Sequence, residues 1–95
     1  MLEVKKIYKV SENIILRGIN KKFWALDSKN GAQYRLNELS FDILSNLDGK
    51  NTLECIIEAQ YNKYQVNKEL LINDVIGFIH KSLEKGIIIE VDQLC

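Results

Sequence analysis

Short apolar runs separated by turn residues occupy the first third of the chain. Val4 to Val10 is short and mixed, and Ile14 to Leu16 is rich in β-branched side chains, so each predicts a strand. Phe23 to Leu26 and Gln33 to Leu36 are two further extended runs. The polar cluster Asp27 to Gly31 between them has strong turn chemistry, and we therefore expect a hairpin.

The last of these runs has two distinct faces. Because side chains alternate along a strand, Tyr34 and Leu36 should lie on one face and Gln33 and Arg35 on the other.

From Asn37 onward the spacing of apolar residues becomes helical. Asn37 is a good N-cap, and Ile43, Leu44 and Leu47 form one stripe. Gly49 follows where the residue after a helix commonly takes a positive φ, so the first helix should end there.

Two more helices and a final extended segment follow. Thr52 should cap the second helix, and Asn67 should cap the third, which runs to Lys85 and stops at Gly86. The stripe of the second helix consists of Leu53, Ile56, Ile57, Tyr61 and Tyr64. Ile87 to Val91 closes the chain as an extended segment. This order predicts one α+β domain over residues 1–95, a winged-helix-like three-stranded antiparallel sheet followed by a three-helix bundle.

The third helix has an unusually wide apolar face. Its members are Leu71, Ile72, Val75, Ile76, Phe78, Ile79 and Leu83. At 100° per residue they cover an arc of roughly 160°, whereas a helix with one buried side needs about 100°. One part of the arc should meet the other helices, and the remainder should meet the sheet or a binding partner.

Charge and cysteine content narrow the classes of function. Thirteen basic and thirteen acidic residues give a net charge of zero, which argues against binding to nucleic acid through a broad positive field. Two cysteines 40 positions apart form neither a disulfide framework nor a metal site. We expect Cys55 in the core of a helix and Cys95 as an exposed tail thiol. No apolar run could span a membrane, and a cytoplasmic location is the expectation.

Catalytic groups are scarce in the sequence. His80 is the only histidine, and no nucleophile stands at a helical spacing from it. The glycines form no phosphate-binding loop. The sequence therefore predicts a binding protein that is not an enzyme and that needs neither a cofactor nor a metal.

Several segments, spread over about residues 12–91, resemble PqqD-like proteins, which are also called precursor-peptide recognition elements. These segments are Phe23 to Asp27, Tyr34 to Asn37, Ile43-Leu44, Leu47 to Thr52, Asp74-Val75, Phe78-Ile79, Leu83 and Gly86-Ile87. The resemblance implies a three-stranded sheet packed on a three-helix bundle. It also implies that the leader segment of a ribosomal precursor peptide adds as a further strand beside the third strand, in a groove formed with the third helix.

The sequence of the third strand suits such an addition. Ala32 to Leu36 would be an edge strand without proline and with Arg35 as its single charge, so its backbone is weakly protected against pairing. The predicted peptide-binding residues are Ala32, Gln33, Tyr34, Arg35, Leu36, Leu71, Asp74, Val75 and Phe78. The implied partners are the precursor peptide and a maturation enzyme, either a radical SAM protein or a leader peptidase. Self-association through the same edge is also open.

A winged-helix DNA-binding domain is the alternative, because the order of helices is compatible with that fold. A recognition helix needs several Lys or Arg side chains on one face. In the third helix Lys68, Lys81 and Lys85 are balanced by three carboxylates, so no basic stripe forms. We therefore expect neither nucleic acid nor membrane as a partner.

Overall fold

Short strands and three α-helices make up residues 2–91, the part of the chain that this computed structural model describes; side chains are described for residues 4–91. In chain order they are a 3₁₀ turn (Leu2–Lys5), β1 (Ile7–Val10), β2 (Ile14–Ile19), β3 (Lys22–Asp27), β4 (Gln33–Leu36), α1 (Glu38–Ser45), β5 (Asp48–Thr52), α2 (Leu53–Tyr64), α3 (Lys68–Glu84) and β6 (Ile88–Val91). The predicted α+β class is confirmed.

Strands β2, β3 and β4 form an antiparallel meander with β3 in the centre. Asn20 and Lys21 join β2 to β3 with φ values of 52° and 63°, as a tight hairpin turn with two left-handed residues requires. The turn between β3 and β4 contains Gly31 with φ 74°. The predicted hairpin is therefore confirmed.

The side chain of Asp27 holds the β3–β4 turn in place. Its Oδ1 accepts hydrogen bonds from Asn13 Nδ2 and from the backbone N–H of Lys29, both at 2.9 Å. The bond from Asn13, followed by the backbone bond, holds the pKa of the Asp27 carboxyl below its ordinary value. The turn that leads into β4 is thus tied to the turn before β2.

A second three-stranded sheet, in the order β5-β1-β6, was not predicted. Its strands come from three distant parts of the chain, and β1 pairs antiparallel with both neighbours. β5 was expected to be only a junction between helices. Its segment is entirely polar apart from glycine and has no alternating pattern, so no local signal predicts a strand there.

The prediction that Gly49 ends the first helix was wrong. Gly49 does have a positive φ of 78°, but α1 already ends at Ser45 and Gly49 lies within β5. The carboxylate of Asp48 accepts the backbone N–H groups of Lys50 and Asn51. These bonds lower the pKa of Asp48 and shape the segment into a tight loop.

The predicted helix caps are confirmed. The side chains of Asn37, Thr52 and Asn67 accept the N–H groups of Ser40, Cys55 and Leu70, respectively. Helix α3 ends at Glu84, and Gly86 follows with φ 73°. Each cap satisfies an N–H group that would lack a partner within its helix.

The core lies between the two sheets and the three helices. Its buried apolar side chains include Tyr8, Ala25, Leu36, Ile43, Leu44, Leu53, Ile56, Ile57, Leu71, Val75, Ile79 and Ile88. The prediction that Cys55 belongs to the core was wrong, because α2 turns this residue to the surface and buries Gln60 instead. Cys95 lies outside the described residues.

A polar cluster fastens α1 to α2 on the surface. Lys63 Nζ lies 2.7 Å from Asp42 Oδ2, and the hydroxyl of Tyr64 donates to the same oxygen. The bonds from Lys63 and Tyr64 lower the pKa of the Asp42 carboxyl. Burial, together with the bond to Asp42, raises the pKa of Tyr64 far above its ordinary value.

None of the helices within residues 2–91 is both long and apolar enough to cross a membrane.

Candidate peptide-binding site

Strand β4 forms one edge of the meander, because it pairs with β3 on one side and, within residues 2–91, has no neighbouring strand on the other. As predicted, Tyr34 and Leu36 face the interior, and Gln33 and Arg35 face outward. An edge strand of this kind leaves alternate N–H and C=O groups available to another chain.

The register identifies which groups of β4 face the free edge. The N–H of Asp27 donates to the C=O of Ala32 at 2.8 Å, so these two residues form a hydrogen-bonded pair. Hydrogen-bonded pairs alternate along an antiparallel ladder, and the register from here to Leu36 has no shift. Tyr34 and Leu36 therefore bond to β3, whereas Gln33 and Arg35 direct their N–H and C=O groups away from it.

Ala32 limits this free edge at one end. Its C=O is used by Asp27, and its N–H donates to Asn30 Oδ1 at 2.8 Å. A strand that pairs with β4 can therefore use the backbone of Gln33 and Arg35 but not that of Ala32.

Helix α3 lies alongside this edge and encloses two clefts with it. The first, of about 220 Å³, is lined by Tyr34, Arg35, Leu36, Asn37, Ser40, Phe78, Lys81, Ser82, Lys85 and Ile87. The second, of about 170 Å³, is lined by Asn37, Leu39, Ser40, Ile43, Asp74, Val75 and Phe78. Because both include Asn37, Ser40 and Phe78, the two clefts are adjacent, and together we call them the β4–α3 groove.

The size and direction of the β4–α3 groove suit an extended peptide. Each cleft is smaller than the roughly 300–1,000 Å³ of a typical small-molecule pocket, and its volume has room for a few side chains of a peptide. Lys85 Nζ lies 5.2 Å from the centre of the Tyr34 ring, whereas Asp74 lies towards Asn37. Helix α3 therefore runs opposite to β4 along the groove.

The apolar arc of α3 divides into a core part and a part in the groove. Leu71, Val75 and Ile79 are buried, and Phe78 is half-buried, packed against the core while lining both clefts. Ile72 lines a different cavity, between α2 and α3. The apolar arc is therefore wide because α3 contacts the core on one part of it and lines the groove with another.

The structure brings seven of the nine predicted site residues together along the groove or its edge strand. Ala32 is one exception, since it precedes β4 and its backbone groups bond to Asp27 and Asn30. Leu71 is the other, since it is 2% exposed and lines neither cleft. Its role in binding stays a prediction. Sequence reasoning missed Lys81 and Lys85, which line the first cleft. Their spacing of three and seven residues from Phe78 places them on the same helical face, and this signal could have identified them.

Two cation–π contacts mark opposite faces of β4. The guanidinium of Arg35 lies 5.3 Å from the centre of the Trp24 ring on the outer face of the sheet. Lys85 lies over Tyr34 on the inner face, within the groove. The edge strand is therefore flanked by positive charge on both faces.

Metal-ligand clusters and the placement of the only histidine bear on chemistry other than binding. No group of three or more His, Cys, Asp or Glu side chains that could hold a metal occurs within the part of the chain that the structure describes. His80 is exposed on α3.

Comparisons with known proteins agree with this fold. Two solved structures match with probability 1.00: "TbiB1 in Complex with the TbiA(beta) Leader Peptide" and "Lasso peptide synthetase B1 complexed with the leader peptide". The first is 21% identical over 84% of this chain and 93% of its own, with a TM-score of 0.74. The second is 16% identical over 86% of this chain and 96% of its own, with a TM-score of 0.75. At these identities the likeness establishes the fold.

No curated protein matches the sequence. Among protein families, "Coenzyme PQQ synthesis protein D (PqqD)" matches residues 24–88. The matched range is more than half of the chain, and it includes β4, α3 and the groove between them. The chain therefore belongs to the PqqD family.

Proposed function

We propose that this protein binds the leader segment of a ribosomally synthesised precursor peptide and presents it to a maturation enzyme. The observation that carries the proposal is the free backbone of Gln33 and Arg35 beside a peptide-sized groove. Membership of the PqqD family supports it, as does the shared fold with two proteins that were solved with leader peptides.

Binding would proceed by strand addition. Gln33 and Arg35 each offer one N–H donor and one C=O acceptor to the guest strand. These main-chain bonds tolerate many side chains, so they supply affinity rather than specificity. Side chains of the guest that point inward would enter the groove beside Phe78, and burial of apolar surface there would add to the affinity.

In this proposal the protein recognises the leader without catalysing a reaction. Its partner would be a radical SAM maturase or a leader peptidase, which acts on the remainder of the precursor. A guest held along β4 by its backbone leaves the chain beyond the groove free to reach a second protein.

A binding measurement tests the proposal. A fluorescently labelled leader from a precursor encoded beside this protein should bind saturably, and a scrambled version of the same peptide should bind much more weakly. Duplex DNA serves as the control for the winged-helix alternative. Equal binding of both peptides, or tight salt-sensitive binding of DNA, would contradict the proposal.

Self-association through β4 is a related proposal. Two copies paired at this edge would use the same backbone groups as the leader, so the leader should convert dimers into monomers. Sedimentation velocity with and without the leader measures this. A dimer that persists at saturating leader would show that the copies meet elsewhere.

A further inference from the structure

The β4–α3 groove carries positive charge although the protein as a whole is neutral. Lys81 and Lys85 line its first cleft, the guanidinium of Arg35 lies beside it on the outer face of β4, and Asp74 is the one carboxylate among the residues that line the two clefts. Two cations in the groove and one at its edge thus outnumber its carboxylate.

Arg35, Lys81 and Lys85 differ in their partners from four lysines that form ion pairs. Lys5, Lys6, Lys63 and Lys68 form ion pairs with carboxylates elsewhere on the surface. In the described part of the chain, no carboxylate lies within ion-pair distance of Arg35, Lys81 or Lys85. Arg35 and Lys85 contact aromatic rings instead, which leaves their charge uncompensated.

The free edge of β4 specifies where the side chains of a guest strand point. A guest residue opposite Arg35 lies on the outer face, as Arg35 itself does, and its neighbours opposite Tyr34 and Leu36 point into the groove. The position opposite Tyr34 lies near Lys85 and Lys81. The position opposite Leu36 lies nearer Phe78 and Asp74.

We propose that the protein selects an acidic guest strand with a defined three-residue pattern. The residue opposite Leu36 is apolar, and the residues opposite Arg35 and Tyr34 carry carboxylates. This inference rests on the proposed function and adds the chemical class of the peptide to it.

Electrostatics and packing support each position of the pattern. A carboxylate opposite Arg35 can accept two hydrogen bonds from its guanidinium, whose charge no carboxylate compensates in the described residues. A carboxylate opposite Tyr34 meets two ammonium groups. At the other end Asp74 repels a carboxylate, and the half-buried ring of Phe78 favours an apolar side chain.

Lys81 and Lys85 also lie at the C-terminal end of α3, where positive charge offsets the helix dipole. If that were their only role, replacing them would change stability equally with and without a guest. The experiment must therefore measure binding and melting on the same variants.

Short synthetic peptides with one extended host sequence supply the test. They differ only in three central residues: Leu-Glu-Glu, its amide analogue Leu-Gln-Gln, and the reversed Glu-Glu-Leu. At low salt the preferred carboxylate peptide should bind about tenfold more tightly than the amide peptide, from two partly exposed ion pairs. An antiparallel guest favours Leu-Glu-Glu, and a parallel guest favours Glu-Glu-Leu. The preference should fade at high salt.

A charge-reversed variant sharpens the test. Lys81→Glu should lose most of the preference for carboxylates, and a peptide with Lys opposite Tyr34 should recover binding to it. Lys50→Glu is the matched control, since it changes the net charge equally from an exposed position in β5 that lines neither cleft. Lys50→Glu should keep the preference of the unaltered protein.

The possible outcomes separate the two proposals. Equal affinity of amide and carboxylate peptides, with slowed exchange of the Gln33 and Arg35 amides, would overturn the acidic pattern and leave strand addition standing. Loss of the preference in Lys50→Glu as well would also overturn the pattern, since the effect would then arise from net charge. If no peptide, natural leader included, slowed exchange at these amides, both proposals would fall.

Discussion

The two edges of the meander, β2 and β4, share the same backbone geometry but differ in what lies beneath them. Successive residues of β3 form their backbone bonds alternately with β4 and with β2. Because Asp27 bonds to β4, this alternation leaves the N–H and C=O groups of Leu16 and Gly18 on the free edge of β2. Both edges thus offer unpaired backbone groups.

Beneath β2 the space is filled by aromatic rings. Phe23 and Phe41 lie 4.6 Å apart between ring centres, and a Cβ added at Gly18 would come within 2.9 Å of the Phe23 ring. Beneath the edge of β4 lies an open groove with cations and a half-buried phenylalanine. We therefore expect a peptide to bind at β4 rather than at β2, because guest side chains need space and suitable neighbours as well as unpaired backbone groups.

The largest expected effect that distinguishes the edges is on amide exchange. At a leader concentration about a hundred times its dissociation constant, exchange of the Gln33 and Arg35 amides should slow by roughly a hundredfold, the factor by which the free state is depleted. Exchange at Leu16 and Gly18 should stay unchanged. Hydrogen exchange read by NMR measures all four amides, and protection confined to β2 would reverse the comparison.

A proline on the free edge should weaken leader binding strongly. Arg35→Pro removes a donor that faces the guest and leaves the guest carbonyl unpaired, which costs about 2 kcal/mol or a thirtyfold loss of affinity. Edge strands tolerate proline where the N–H faces outward, so the fold should persist. Calorimetric titration measures the affinity.

Two further variants at this strand act as controls. Arg35→Ala keeps the N–H and should lose only the contribution of the guanidinium. Tyr34→Pro removes an N–H that bonds to β3, so it should lower the melting temperature more than Arg35→Pro does. If Tyr34→Pro abolished binding without destabilising the fold, the assignment of which β4 amides face the free edge would be wrong.

The sequence predicted the meander and missed the other sheet for a physical reason. Strands β2, β3 and β4 are joined by short turns whose residues, such as Asn20 and Gly31, are visible locally. The other sheet pairs segments that lie about 40 and 80 positions apart, through pairs such as Ile7 with Thr52 and Ile7 with Val91. Such pairing depends on tertiary packing, which leaves no local signal.

The site was predictable in part. The edge strand and Phe78 followed from strand alternation, the width of the apolar arc and the family resemblance. Which β4 amides face the free edge is shown by the hydrogen bond between Asp27 and Ala32. The residue types along the strand do not predict it. Lys81 was overlooked because the charges of α3 were counted over the whole helix rather than by the face that meets β4.

A smaller effect is expected from the floor of the groove. Phe78→Ala should weaken leader binding by about 1.4 kcal/mol, or tenfold, because apolar surface that contacts the guest is lost. Ile72→Ala is the matched control, since Ile72 is also half-buried on α3 but lines the cavity towards α2. Fluorescence anisotropy gives the affinities, and thermal melts show that both variants are folded. Equal losses would mean that the variants act through stability.

The smallest effect concerns a cluster remote from both edges. The bonds from Lys63 and Tyr64 lower the pKa of Asp42 in the folded state below the ordinary value of 3.8. The stability they contribute is therefore present above that value and is lost as the pH falls through the lower, folded pKa. Asp42→Asn should cost about 1 kcal/mol of unfolding free energy at neutral pH, and the difference from the unaltered protein should shrink in strong acid. Urea unfolding over a range of pH measures it, while leader affinity at neutral pH should stay the same. A loss of affinity in Asp42→Asn would show that α1, which touches both β2 and β4, transmits strain to the groove.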